Sequence, residues 1–287
     1  MRLIIVSGLS GSGKSVALHL LEDIDFYCVD NIPAALLKPF ISHTIRGADD
    51  VYPRTAVGLD ARNRPNEIDT IPALVGELGR SGIRCEVLFL HASDEVLLKR
   101  YAETRRKHPL VSPEVSLREA IAIERKLLEP IVAAADLVID TSAMGVHALR
   151  ELIRERIDRR TDGRLALMFQ SFGYKHGIPG DADFVFDVRS LPNPYWQPEL
   201  RHLNGRDPPV VAYLAAHENV RALVAALIEF LEARIEEFAQ ANRSYLTIAI
   251  GCTGGQHRSV YVAEELARHF RPVYPQVLTR HGSLQKA

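Results

Sequence analysis

Short apolar runs alternate with amphipathic stretches through the first half of the chain, the pattern of a parallel α/β sheet. The runs are Leu3–Ser7, Tyr27–Asp30, Ala56–Asp60, Glu86–His91 and Leu137–Asp140. Each is brief and rich in Val, Ile, Leu or Phe, which suits strands buried on both faces. Between them, helical spacing predicts helices over Ser15–Asp23, Pro72–Gly79, Asp94–Arg106 and Leu117–Ala135. Right-handed crossovers would gather the strand C-termini along one edge, where ligands bind in such sheets.

A charged helix over Val146–Arg160 runs into Thr161-Asp162-Gly163, where the pattern changes. The expected domains are therefore residues 1–161 and 162–287. The second begins with a strand, Leu165–Phe169, and a loop-rich stretch in which Pro192, Pro194, Pro198, Pro208 and Pro209 interrupt any long element. A long helix (Val220–Asn242), a strand (Tyr245–Gly251) and a helix (Ser259–Phe270) follow.

Composition narrows the function classes. The 287 residues are 47% hydrophobic and 25% charged, the balance of a globular protein with a real core. Lys and Arg number 35 against 36 for Asp and Glu, so binding to RNA would have to come from local basic patches. No apolar run has the length to span a bilayer. The chain enters a strand at once, so no signal peptide is expected, and three scattered cysteines fit neither a disulfide framework nor a zinc site. The expected compartment is the cytoplasm.

Gly8-Leu9-Ser10-Gly11-Ser12-Gly13-Lys14-Ser15 matches G-x-x-x-x-G-K-[ST] at every fixed position, with a strand directly before and a helix directly after. The glycines let backbone N–H groups converge on phosphate oxygens, and the helix directs its positive dipole end at them. Lys14 is placed to reach the β- and γ-phosphates and Ser15 to ligate Mg2+. Asp60, closing a buried strand, is either the second acid of the magnesium site or a loop cap. Asp30-Asn31 reaches the same edge. The segment Leu98–Leu110 holds five Lys or Arg residues and one acid, so Arg100, Arg105 and Arg106 are candidates for a phosphate-covering lid.

A second Gly-rich turn, Gly251-Cys-Thr-Gly-Gly-Gln-His-Arg-Ser259, also joins a strand to a helix. Cys252 and Arg258 have the C-x5-R spacing of cysteine-dependent phosphatases. Three readings stay open: a catalytic phosphatase loop, a phosphate-binding loop without catalysis, or a structural turn with a buried Cys. Gly254, Gly255, His257 and Arg258 favour phosphate binding. A phosphatase would also need a general acid, with Asp181, Asp183, Asp187 and Asp207 as candidates.

These motifs, with Val-Asp-Asn (29–31), Asp-Ala-Arg-Asn (60–63), Glu-Thr-Arg-Arg-Lys-His-Pro-Leu (103–110), Ser-Phe-Gly-Tyr-Lys-His-Gly-Ile-Pro (171–179) and Asp-Val-Arg-Ser-Leu-Pro-Asn-Pro-Tyr-Trp (187–196), occur together in order. The set resembles the bacterial RapZ/YvcJ family of nucleotide-binding proteins, known as RNase adapter proteins, over nearly the whole chain. The resemblance implies an α/β protein: a kinase-like P-loop NTPase sheet, then an α/β domain with a phosphate-binding loop.

It further implies slow hydrolysis of ATP and GTP at Gly8–Ser15, with Asp60, Ala61, Arg62 and Asn63 as a second nucleotide segment. The C-terminal domain would bind RNA and sense glucosamine-6-phosphate through Asp187, Thr253, Gly254, His257 and Arg258. Enterobacterial relatives present a small regulatory RNA to an endoribonuclease, and the family forms homo-oligomers, expected to be tetramers. Arg268, Arg271, Arg280 and Lys286, with no acid in residues 266–287, are the RNA-contact candidates. This C-terminus is less basic than the enterobacterial tail, and Tyr195 stands where those relatives carry His. The rival classes are a small-molecule kinase using Asp30 and the lid, and a phosphatase at Cys252.

Overall fold

The computed structural model describes residues 1–45, 52–104, 106–158, 165–240, 243 and 245–284. They form two compact units, Met1–Arg159 and Arg160–Ala287.

In chain order the first unit is β1 (Arg2–Gly8), α1 (Lys14–Asp23), β2 (Tyr27–Val29), α2 (Ala34–Ile45), β3 (Arg54–Gly58), α3 (Pro65–Ile68), α4 (Ile71–Arg80), β4 (Arg84–His91), α5 (Asp94–Thr104), α6 (Leu117–Leu127), α7 (Glu129–Ala133), β5 (Leu137–Asp140) and α8 (Val146–Ile153). All five strands are parallel, in the order β2-β3-β1-β4-β5. The central β1 is buried on both faces, with Leu3, Ile4, Ile5 and Val6 at most 1% exposed. That explains its unbroken apolar run. The C-terminal ends of the strands deliver the P-loop, Asp30-Asn31, Asp60 and Thr141 to one edge.

Several elements of this unit, the unforeseen short α3 among them, depart from the sequence expectation. The single helix foreseen over Leu117–Ala135 divides at Leu128, because Pro130 in the first turn of α7 has no N–H to continue the ladder. Ser116 and Glu119 close a capping box at the start of α6. The helix foreseen over Val146–Arg160 is α-helical only to Ile153 and continues as a π-helical turn, Arg154–Asp158. The α2 helix, unforeseen, tolerates Pro39 within its span.

The second unit contains β6 (Ala166–Gly173), β7 (Phe184–Asp187), α9 (Pro208–Ala216), α10 (Glu218–Gln240), β8 (Tyr245–Cys252), α11 (Arg258–Phe270) and β9 (Val277–His281). Its sheet is also wholly parallel, in the order β7-β8-β6-β9. The inner strands β6 and β8 are buried along their whole length. Phe169 of β6 stacks on Phe270 of α11 at 5.7 Å. Pro208 and Pro209 open α9 rather than interrupting structure. A first-turn proline lacks only an N–H that would find no helical acceptor. Trp196, the only tryptophan, lies on a short 3-10 turn and is 72% exposed. Among the described residues no single helix is long and apolar enough to cross a membrane.

Candidate functional site

The P-loop leaves β1 at Gly8 and enters α1 at Lys14. Gly8, Gly11 and Gly13 take φ of 147°, 89° and 113°, a backbone that side chains resist. At Gly8 a β-carbon would stand 2.1 Å from the Leu90 carbonyl oxygen. The Lys14 Nζ donates to the Gly8 carbonyl at 2.7 Å. Burial pulls the Lys14 pKa down, opposed by the charges of Glu124, Asp60 and Asp30. The Ser12 Oγ is buried with no hydrogen-bond partner among the described residues.

Above the loop lies a cleft of about 540 Å³. Ser10–Val16 line its floor. Asp30, Asn31, Asp60 and Arg62 flank it from the β2–β3 side, and Thr141, Met144, Val146 and Leu149 from the β5 side. Arg100, Tyr101, Thr104, Arg106, Lys107 and Pro109 also line it. Gly8 and Leu9 do not line this space, and Leu9 is a core residue, 1% exposed.

Within 60–63 the roles separate. The Asp60 Oδ1 accepts from the Arg62 amide at 3.0 Å, and Arg62 Nε lies 3.5 Å from Oδ2. The Asn31 amide, oriented to satisfy both neighbours, donates to Asp60 Oδ1 at 2.9 Å and accepts from Arg62 Nη1 at 3.2 Å. Ala61 and Asn63 are buried outside the cleft. Asn63 is a strut: its Oδ1 accepts from the Ala34 amide at 2.6 Å, opening α2, and its Nδ2 donates to the Asp60 carbonyl at 3.1 Å.

The three lid candidates also part company. Arg100 braces the loop: Nη1 donates to the Gly11 carbonyl and to Thr141 Oγ1, both at 3.0 Å, and Nη2 to the Thr141 carbonyl at 2.6 Å. Arg106 is exposed and lines the cleft, while Arg105 lies outside the described residues.

The principal feature missed in sequence is Glu124 of α6. Its side chain is fully buried, and both oxygens face Ser10: Oε2 accepts from the Ser10 amide at 2.9 Å and Oε1 from the Ser10 hydroxyl at 2.7 Å. His108 Nε2 also meets Oε2 at 3.0 Å. The available signal was a Glu on the apolar stripe Ala120–Ile121–Glu124–Leu128, where a charge belongs only if it is paired.

In the second unit the Gly251–Ser259 turn joins β8 to α11. Gly255 has φ of 70°, and a β-carbon there would meet Ser283 Oγ at 2.2 Å and the Gly173 nitrogen at 2.6 Å. Gly254 faces open space. Arg258 is 5% exposed; its Nη1 donates to the carbonyls of Arg189 at 2.6 Å and Leu191 at 3.0 Å. Its Nη2 lies 3.4 Å from the exposed Thr253 Oγ1. The buried His257 places Nε2 3.2 Å from the Leu200 carbonyl, and burial lowers its pKa. Asp187 ends β7 beside Gly251 and makes a bidentate pair with Arg189, which holds its carboxyl below the usual range. The Arg189 guanidinium in turn lies 4.1 Å from the Tyr174 ring centre. Cys252 is 3% exposed, and its Sγ accepts from the Gly255 amide at 3.2 Å and neighbours Ser259 Oγ at 3.1 Å.

Comparison with known proteins matches both units. Residues 1–161 match the RapZ-like N-terminal domain family, and residues 165–285 the RapZ C-terminal domain family. The chain belongs to the RapZ family. A relative from Nitrosococcus oceani, described as a nucleotide-binding protein, is 55% identical over 284 residues, 99% of this chain and 100% of that protein. Another so described, from Alkalilimnicola ehrlichii, is 54% identical over 290 residues, 100% of this chain and 99% of its own length. Among solved structures, a shikimate kinase from Bacteroides thetaiotaomicron is similar at 11% identity and a TM-score of 0.37, covering 55% of this chain and 98% of that one.

In this RapZ-family chain the basic candidates are partly neutralised. Helix α11 pairs Arg268 with Glu265 across i, i+3, and Arg271 lies 3.7 Å from Glu264. Those acids precede residue 266, so a count from that position onward overlooks them. Arg280 lies on β9, and Lys286 is outside the described residues.

Proposed function

We propose that this RapZ-family chain is a nucleotide-binding regulator whose N-terminal domain, residues 1–161, holds ATP or GTP with Mg2+ and hydrolyses it slowly. The carrying observation is the glycine-built cradle with Lys14 Nζ resting on the Gly8 carbonyl and the Ser12 hydroxyl without a partner among the described residues. The first-turn amides of Lys14 and Ser15 have no helical acceptor and suit phosphate oxygens. Ser15 and Asp60 line the same cleft and supply the oxygen donors that Mg2+ prefers. That ion neutralises phosphate charge when bound. Slow hydrolysis fits Arg100 being tied to the Gly11 and Thr141 carbonyls, where it braces the loop rather than following a transferring phosphoryl group.

In the same reading residues 162–287 sense glucosamine-6-phosphate. The exposed Thr253 hydroxyl, the open backbone at Gly254 and the Arg258 guanidinium favour a phosphate, and the Asp187 carboxylate favours an amino group. Arg258 also fastens the Arg189–Leu191 segment, and His257 secures the Leu200 carbonyl, so both shape the loop. An RNA surface at Arg268, Arg271, Arg280 and Lys286 completes the proposal. The chain would act as a cytoplasmic homotetramer presenting a small regulatory RNA to an endoribonuclease, and the RapZ-family match supports this part.

Thermal unfolding with Mg-ATP, Mg-GTP and a sugar-phosphate panel tests both halves. A ligand at a hundred times its dissociation constant adds about 2.7 kcal/mol. Loss of the nucleotide shift alone in Lys14→Ala, and of the sugar-phosphate shift alone in Thr253→Val, is expected. Fast phosphoryl transfer to a metabolite, at about 1–100 per second, would replace the regulator reading with a kinase.

A further inference from the structure

Ser10, the third residue of the P-loop, is held by a carboxylate of α6. Glu124 uses both carboxylate oxygens on it, through the backbone N–H and the hydroxyl. The third donor to Glu124 is His108 Nε2 at 3.0 Å. The His108 Nδ1 accepts from the Leu110 amide at 3.1 Å, so the ring proton sits on Nε2 and points at the carboxylate. Both side chains are completely buried. A carboxylate is costly to bury even when hydrogen-bonded, and an apolar pair of similar volume would fill the space without that cost. Its presence there calls for a role besides packing.

The chain connectivity supplies one. His108 directly follows Arg106 and Lys107, which line the cleft. The Tyr101 ring packs against His108 at 5.3 Å, and its edge stands 3.4 Å from where a β-carbon on Gly11 would lie. The cationic segment therefore reaches the phosphate loop at three points: Arg100 on the Gly11 carbonyl, Tyr101 beside Gly11, and His108 through Glu124 at Ser10. Glu124 is also the foremost charge favouring the ammonium of buried Lys14.

We infer that Glu124 and His108 are positioning residues for nucleotide binding: through Ser10 they lock the P-loop and the Arg106–Lys107 segment into one phosphate-holding unit. This rests on the nucleotide-binding reading of the cleft. A loop fixed at Ser10 keeps its remaining amides convergent, and a fixed His108 keeps Arg106 and Lys107 over the same phosphates. Neither Glu124 nor His108 needs to touch the ligand.

The test is calorimetric Mg-ATP binding to the full chain, with hydrogen exchange on the same samples. Glu124→Gln and His108→Leu should each weaken binding by about tenfold or more, as expected for losing a charge-assisted hydrogen bond. His108→Gln, which keeps an N–H toward Glu124, should recover most of the affinity. Arg106→Ala should weaken binding in the wild-type background and add little in Glu124→Gln, because contacts that act as one unit are non-additive. Additive losses, or unchanged affinity in a folded Glu124→Gln chain, would overturn the inference. Absence of Mg-ATP binding to wild type would instead sink the nucleotide reading. Hydrogen exchange at 8–14 in His108→Leu then still decides: faster exchange supports the lock, and unchanged exchange refutes it.

Discussion

A β-carbon on Gly13 would stand 2.8 Å from Leu149 Cδ2, so a leucine of α8 enforces the last glycine of the P-loop. The backbone there also has φ of 113°. Gly13→Ala should cost on the order of 1–3 kcal/mol in chemical denaturation and abolish the Mg-ATP shift. Adding Leu149→Ala removes the contact but not the backbone strain. The double variant should therefore not regain nucleotide binding.

Lys14 carries a charge that its burial disfavours, and its pKa lies below 10.5. For a base this penalty is fully present below the folded pKa and fades as pH rises toward 10.5. Lys14→Met should therefore stabilise the ligand-free chain at neutral pH while losing the nucleotide shift. A fall in ligand-free unfolding temperature would count against this view.

For Glu124, burial opposes ionisation, but the bonds from His108 and Ser10, with the Lys14 charge, outweigh it and hold the pKa below 4.5. A carboxylate so depressed contributes stability that is present above 4.5 and lost as pH falls through the folded value. Urea denaturation across acid pH should show a shallower loss below 4.5 in Glu124→Gln than in wild type.

Burial, with Glu22 nearby, pushes the Cys28 thiol up to about 11. Burial, with Asp136 and Glu86, pushes Cys85 up to about 12. Cys252 is buried in the core of the second unit. Disulfide-exchange labelling at neutral pH should be slow in the native chain and reach all three thiols on unfolding. Cys252→Ser should leave sugar-phosphate stabilisation intact; a phosphoester hydrolysis that vanished with it would establish the phosphatase reading instead.

Glu265→Gln frees Arg268 on an exposed turn of α11. If this face meets RNA, affinity should rise and the log–log salt slope steepen by about 0.7–0.9. An unchanged slope places the RNA elsewhere.

The P-loop was legible because its geometry is local: strand, glycines, Lys14 and helix follow one another directly. Asp60, just past the end of β3, reaches the cleft as its position in sequence implied, and it also caps its own loop by accepting from the Arg62 amide. Glu124 was not legible, because its partner Ser10 is 114 residues away in sequence and only the fold joins them. Arg100 was read as part of a lid from local charge density. What decides its role is the carbonyls of Gly11 and Thr141, which arrive from β1 and β5. The edge strands β7 and β9 also escaped notice, being short and only partly buried. Pro208 and Pro209 misled because a proline ends one context and opens another.

Trp196 gives the molecule an optical asymmetry. As the only indole, and one facing solvent in the second unit, it makes tryptophan emission a reporter of that unit. A spectral change on adding a nucleotide would therefore show the second unit answering that ligand, read without attaching any dye.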